Sequence, residues 1–291
     1  MPAPSTREER HRQADEACAK AIASFPFERV ETSGEEALAT WARLKLAGHG
    51  FPVVLGSDEA VADLADQVRR NYLETRPGNR SAEEILAAAA RLRHPQDLIA
   101  SRAAGQARGD AYLERFLANP EAVSPTVVVA DTDGVQRELT PEETRAFLLR
   151  ERQPPPVDEW PAQSDYVPGL AVTTKLGRTL EKVNVALFPT DDWTTIPVHL
   201  CWGGWNACPH PEYHVAALRS WRDRFGAEPV GLGTDVMDVR VARPPQSRAQ
   251  ALDLAREHYV YCSDIVDQGV GTLSGLAAQL LGNEWWSFWW D

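Results

Sequence analysis

The chain has 291 residues, enough for one large or two moderate domains with a substantial core, and its 43% hydrophobic and 25% charged content excludes wholesale disorder. A formal charge of −12, from 30 basic and 42 acidic residues, opposes the phosphate backbone and disfavours DNA or RNA as a partner, while the same field favours a basic one. No stretch approaches the roughly 20 apolar residues needed to span a bilayer, so no membrane association is expected.

The opening "MPAPSTREERHRQADEACAK" is charged and lacks the apolar core of a secretory signal. Residues 1–24 are expected to be a poorly ordered or helical lead-in, and the location cytoplasmic. Cys18, Cys201, Cys208 and Cys262 are too few and too scattered for a disulfide framework, and reduced thiols fit that compartment. In "SGEEALATWARLKLAG", Ser33 three residues before Glu36 predicts a capping box, with Ala37, Trp41 and Leu44 on one helical face. "FPVVLG" predicts a short buried strand, and "SDEAVADLADQVRRNYL" a helix with Val61, Leu64 and Val68 at helical spacing. Ser81 and Glu84 form a second capping box, and helical sequence continues to Asn119 with breaks expected near Pro95 and Gly109.

"TVVVADTDGVQREL" predicts a β-hairpin around an Asp-Gly turn; its "DTD" lacks the later ligands of a calcium loop. A helix over "PEETRAFLLRERQ" precedes the proline-rich "QPPPVDEWPAQSDYVPG", where ladders cannot continue. The expected division is therefore a helix-rich α/β part over 25–153, a linker over 154–178, and an α+β domain over 179–291. That last domain should hold a mixed sheet of four to five strands with flanking helices.

Within it, "KVNVALFP" and "IPVHLCW" predict neighbouring strands, and "PEYHVAALRSWRDRFG" a helix with Pro211 in its first turn and Gly226 at its end. "EPVGLG" and "DVMDVRV" predict two more strands. A helix capped by Ser247 puts Ala251, Ala255, His258, Tyr259 and Cys262 on one face, and "TLSGLAAQLLG" predicts the last helix. Four Trp and a Phe in the final seven residues must dock, because leaving their apolar area in water costs several kcal/mol. An extended segment places Trp285 and Trp289 on one side and Trp286 and Trp290 on the other.

The motifs "WGGWNACP", "HVAALRSWRDRFGAEPVGL", "LAREHYVYCSDIVDQG" and "WWSFWWD", in that order over about residues 180–291, resemble the bacterial family called domain of unknown function 4253. The upstream "ALATWARLKLAGHGFPVVLG" is similar to the N-terminal portion of longer members. The resemblance implies a fold and an architecture, and the association of some members with toxin and immunity gene neighbourhoods points to an immunity-like or regulatory role; it implies no reaction and carries over no catalytic residue.

Three chemistries compete around "WGGWNACPHPEYH". His199, Cys201, Cys208, His210 and His214 are borderline metal ligands, but a strand supplies no zinc knuckle, so neither a metal nor a cofactor is expected. A glycine-permitted turn is favoured, with Asn206 binding backbone and Pro209 and Pro211 presetting the helix entry. A nucleophilic mechanism would pair Cys262 or Cys208 with His258 or His214 and an orienting Asp264, Asp235 or Asp291. The acids Asp235, Asp238, Glu257, Asp264 and Asp267 suit turn caps and ion pairs better than paired acid catalysis, and Asp264 and Asp267 are expected to hold backbone amides.

The expected function is thus a non-enzymatic module that binds a protein through Trp202, Trp205, Asn206, Trp285, Trp286, Trp289 and Trp290 beside an acidic surface. The rival is a hydrolytic or metal-assisted enzyme at the strand ends near Trp202, Asn206, His214, Asp235 and His258, with Cys262 and Asp264 as further catalytic candidates.

Overall fold

The computed structural model describes residues 7–74, 78–118, 128–130, 136–150, 155–161, 172–173 and 177–291. The order begins with α1 (Arg7–Ala23), β1 (Glu28–Thr32), α2 (Ala37–Ala47), β2 (Phe51–Gly56) and α3 (Asp58–Val68), the last prolonged by a π-helical turn at Arg69–Leu73. Next come α4 (Ala82–Ala89), α5 (Gln96–Ala118), β3 (Val128–Ala130), β4 (Gln136–Glu138) and α6 (Pro141–Arg150). Capping explains several starts: Ser57 accepts from the Ala60 amide, and Ser81 and Glu84 form the reciprocal box ahead of α4.

The remainder comprises β5 (Val183–Phe188), a 3₁₀ turn (Trp193–Thr195), α7 (Ile196–His199), α8 (Pro211–Phe225), β6 (Ala227–Leu232) and β7 (Val236–Val241). It ends with α9 (Arg248–Tyr261), a π-helical segment (Ile265–Val270), α10 (Leu273–Leu280) and β8 (Trp285–Trp289). Pro211 opens α8 and Gly226, at φ +64°, closes it, as the spacing predicts.

The fold is mixed α/β, with a six-stranded sheet ordered β1-β5-β2-β6-β7-β8 and a separate β3–β4 pair. Only β2 and β6 run parallel; all other neighbours are antiparallel. Every residue of β2 and of β5 is buried, which is why both read as unbroken apolar runs rather than alternating ones. The sheet draws strands from both sides of the proline-rich stretch: β2 lies between β5 and β6, so the core of 179–291 is continuous with that of the N-terminal part. Trp41 of α2 is part of this core, and its Nε1 donates to the Pro52 carbonyl at 2.8 Å.

Several local expectations are corrected. "IPVHLCW" is a helical turn and not a strand: Asp192 caps the 3₁₀ turn through the Thr194 amide, and Pro197 occupies the first turn of α7, where its missing donor is not needed. α5 runs through Gly109 without a break. Ser33 accepts from the Glu36 amide at 3.2 Å, but α2 starts only after Glu36, so the pair closes a turn before the helix. The β3–β4 pairing agrees with the expected hairpin, while its Asp-Gly turn lies outside the described residues. Among the described residues no helix is long and apolar enough to cross a membrane.

Candidate functional site

The Trp202–His214 loop is a rigid turn wrapped on an aromatic core. Gly203 has φ +106°, and a Cβ there would stand 2.1 Å from the Pro209 carbonyl oxygen and 2.6 Å from His214 Nε2, so no side chain fits. Trp202 is fully buried and its Nε1 donates to the Gly233 carbonyl at 2.8 Å. Its ring meets Trp205, Trp290 and His214 at centroid distances of 5.1, 5.4 and 4.8 Å. Asn206, at φ +44°, donates to the Asp291 carbonyl at 2.8 Å and ties the loop to the end of β8.

His214 is sealed in that core, with Nδ1 2.5 Å from the Tyr261 hydroxyl and Nε2 3.5 Å from Cys208 Sγ. Burial holds its pKa down to about 3 and pushes the Cys208 thiol far above its ordinary value. His258 is likewise held at about 3 by burial, against Trp221, Trp286 and Phe288. Beneath them, Glu257 accepts from Trp221 Nε1 at 2.6 Å, from Arg224 Nη1 at 2.8 and 2.9 Å, and stands 3.1 Å from His94 Nε2. Burial works to raise this carboxyl, but the His94 hydrogen bond and the Arg224 charge outweigh it and hold it at about 2.

The sequence-derived catalytic candidates do not converge. Cys262 donates to the Trp289 carbonyl at 2.9 Å instead of meeting His258, and burial pushes its pKa up to about 12. Asp264 accepts from the Asp291 amide at 3.0 Å, a backbone amide as expected, whereas Asp267 accepts from the Tyr259 hydroxyl. The Asp235 carbonyl accepts from the Trp290 amide, and its carboxylate from Thr234. Of the thiol–imidazole pairings considered, the structure brings together Cys208 and His214. His199 sits on α7 against Phe27 and Phe188, and among the described residues no group of three or more His, Cys, Asp or Glu is arranged to hold an ion.

β8 alternates as the sequence predicts: Trp286, Phe288 and Trp290 are buried, and Trp285, Ser287 and Trp289 are half-buried. Beside it opens a cleft of about 370 Å³ between Trp285, Trp286 and Trp289 on one side and Val270, Leu276 and Leu280 on the other. His258, Ile265, Gly269, Gln279 and Ser287 complete it, and none of its lining residues is Asp, Glu, Lys or Arg. His258 Nε2 and Trp286 Nε1 are buried without a hydrogen-bond partner. The helical wall was not legible as a site in the sequence; its one signal is Gly269, where an added Cβ would come into ordinary contact with the Asp264 carbonyl at 3.6 Å and the Trp289 ring at 3.8 Å. A second cleft, of about 450 Å³, lies between α5 and the Trp202–His214 loop, with Arg102, Arg108, Cys208 and His210 among its lining residues.

The terminal aromatic strand, the glycine loop and the α8–β6–β7–α9 order all fall within one match, since residues 184–291 fit the family model described as a domain of unknown function (DUF4253). Residues 184–291 form a DUF4253 domain. No curated protein and no solved structure matches the chain. The DUF4253 region supplies β6, β7, β8 and nearly all of β5, while β2, which separates β5 from β6, comes from outside the match. Both tryptophan groups and the 370 Å³ cleft belong to the DUF4253 region.

Proposed function

We propose that this chain is a protein-binding module, immunity-like or regulatory in role, that engages its partner through the half-buried tryptophan face of β8. The observation that carries this is a contrast within one domain. His214, His258, Cys208 and Cys262 are buried with pKa values moved toward their neutral forms, whereas Trp285 and Trp289 flank an uncharged cleft that is open to solvent. Amphipathic rings on a rigid strand bind at little entropic cost and are favoured anchors. Trp202 and Trp290 support the face from beneath, and Trp286 lines the cleft beside it. The net charge of −12 favours a partner with basic flanks around an uncharged anchor. Four free thiols support a reducing, cytoplasmic setting. Affinity capture with the native chain and with a Trp285→Ala, Trp289→Ala double variant tests the proposal: the variant should lose the specific partners, and recovery of the same set by both overturns it.

Thiol catalysis is the second proposal, and it rests on the 3.5 Å approach of His214 to Cys208, a residue that lines the arginine-containing cleft. It requires a thiolate that burial opposes. Rapid, His214-dependent alkylation of Cys208 in the native chain would favour it over the binding proposal.

A further inference from the structure

We infer that the free edge of β8 takes an extended, uncharged segment of a partner polypeptide by strand pairing, with one apolar or aromatic side chain of that segment seated in the 370 Å³ cleft beside Trp285 and Trp289. This rests on the tryptophan-face proposal above and specifies what that face recognises.

β8 ends the sheet and has β7 as its one strand neighbour among the described residues. In an antiparallel ladder, residues alternate between pairs that exchange both hydrogen bonds and pairs that exchange none. Val241 N–H donates to the Glu284 carbonyl and Trp290 N–H to the Asp235 carbonyl, which fixes the phase. Glu284, Trp286, Phe288 and Trp290 turn their backbone groups toward β7, and those of Trp285, Ser287 and Trp289 project from the outer edge.

Two of these outward groups are already satisfied: the Trp285 amide donates to Asn283 Oδ1 at 3.0 Å, and the Trp289 carbonyl accepts from Cys262 Sγ at 2.9 Å. Four are left without a partner among the described residues: the Trp285 carbonyl, both groups of Ser287 and the Trp289 amide. The two ends are tied off and the middle is open, so the edge offers one short register centred on Ser287. An incoming strand would exchange two hydrogen bonds with Ser287 and reach the flanking carbonyl and amide.

The cleft decides the chemistry of the segment. In a chain carrying 42 acidic and 30 basic residues, its lining has no charged side chain, so a Lys, Arg, Asp or Glu placed there would lose hydration without gaining a counter-ion. His258 and Trp286 are among its lining residues, and their Nε2 and Nε1 atoms are buried without a hydrogen-bond partner.

The test uses the full chain and a library of N-acetylated, C-amidated heptapeptides built from uncharged residues, read by fluorescence anisotropy. Retained peptides should share a large aromatic or aliphatic residue at one position. Replacing that residue by Asp or Lys, or N-methylating the backbone amide that faces Ser287, should each weaken binding about tenfold or more. Gly269→Leu should fill the cleft and abolish the preference with an unchanged melting temperature, because Gly269 is not left-handed and its Cβ would lie 3.8 Å from the Trp289 ring. Equal binding of parent and N-methylated peptides, with loss in the Trp285→Ala, Trp289→Ala variant, overturns strand pairing but leaves the tryptophan face intact. Equal binding by that variant overturns both, and a library with no retained peptide overturns the inference.

Discussion

His214 and Tyr261 meet across 2.5 Å, Nδ1 to hydroxyl, in a part of the core where both residues are wholly buried. The imidazole is therefore neutral in the folded chain, as is that of His258, each held at about 3 against an ordinary value of 6.5. A depressed histidine pKa means that the unfolded chain binds more protons below 6.5, so the stabilisation is fully present above that value and is lost as pH falls toward 3. Urea unfolding should lose about 2–3 kcal/mol between about pH 7.5 and 5.5 from the two histidines together. A flat profile over that interval would show that one or both rings take up a proton inside the fold.

Glu257 adds a second and more acidic transition. Its folded pKa of about 2 lies below the ordinary 4.5, so its contribution is complete above 4.5 and disappears as pH drops to 2. Replacing it with Gln removes the charge that Arg224 and His94 face, and should cost about 3 kcal/mol at neutral pH. The variant should also lose its share of the pH dependence below 4.5. Parallel acid titrations of unfolding in the two proteins check both effects.

Thiol labelling separates the two functional proposals. Burial raises the pKa of all four thiols, but Cys208 and Cys262 are buried while Cys18 and Cys201 are half-buried. In the native chain a disulfide reagent at mild pH should label Cys18 and Cys201 first, and the other two only after denaturant is added. Fast native labelling of Cys208 contradicts the inert assignment.

The alternation along β8 predicts an asymmetry in stability. Trp286→Ala or Trp290→Ala empties a core position and should cost about 3–5 kcal/mol, whereas Trp285→Ala or Trp289→Ala should cost under about 1.5 kcal/mol. Reversed costs in chemical denaturation would mean that the strand sits in the opposite register, and equal costs would overturn the asymmetry.

Val54 pairs with Gly231 in the sole parallel contact of the large sheet, which makes β2 a structural part of the family domain. Residues 179–291 expressed alone should lack a sharp near-ultraviolet circular dichroism spectrum and a cooperative melt, because β5 and β6 lose the strand between them. A cooperative melt of that fragment at the temperature of the whole chain would disprove the dependence.

Local rules made much of this fold legible. The capping serines at 81 and 247, the proline and glycine bracketing α8, and the two-residue period of "WWSFWW" each name a structural position by their own chemistry. "IPVHLCW" misled because β-branched residues report burial as much as strand, and a buried four-residue helix satisfies the same apolar pattern. The seat of β2 was invisible because its partners Val185 and Gly231 are remote in sequence, and no spacing rule reaches that far. The site was half legible: the tryptophans announced it, but the opposing wall of Val270, Leu276 and Leu280 reads as ordinary helix packing. Likewise nothing near His94 or Arg224 signals that both converge on Glu257.

Strand order also sets a timetable for synthesis. β2 leaves the ribosome long before β5 and β6, and at ~5–20 residues per second the stretch from Gly56 to Val183 takes on the order of 10 s to emerge. Throughout that interval the hexapeptide Phe51–Gly56 has neither ladder neighbour, and its shelter from aggregation must come from α2 and α3 closing over it or from a chaperone. The nascent chain thus carries a wholly apolar strand early and finds it a place late.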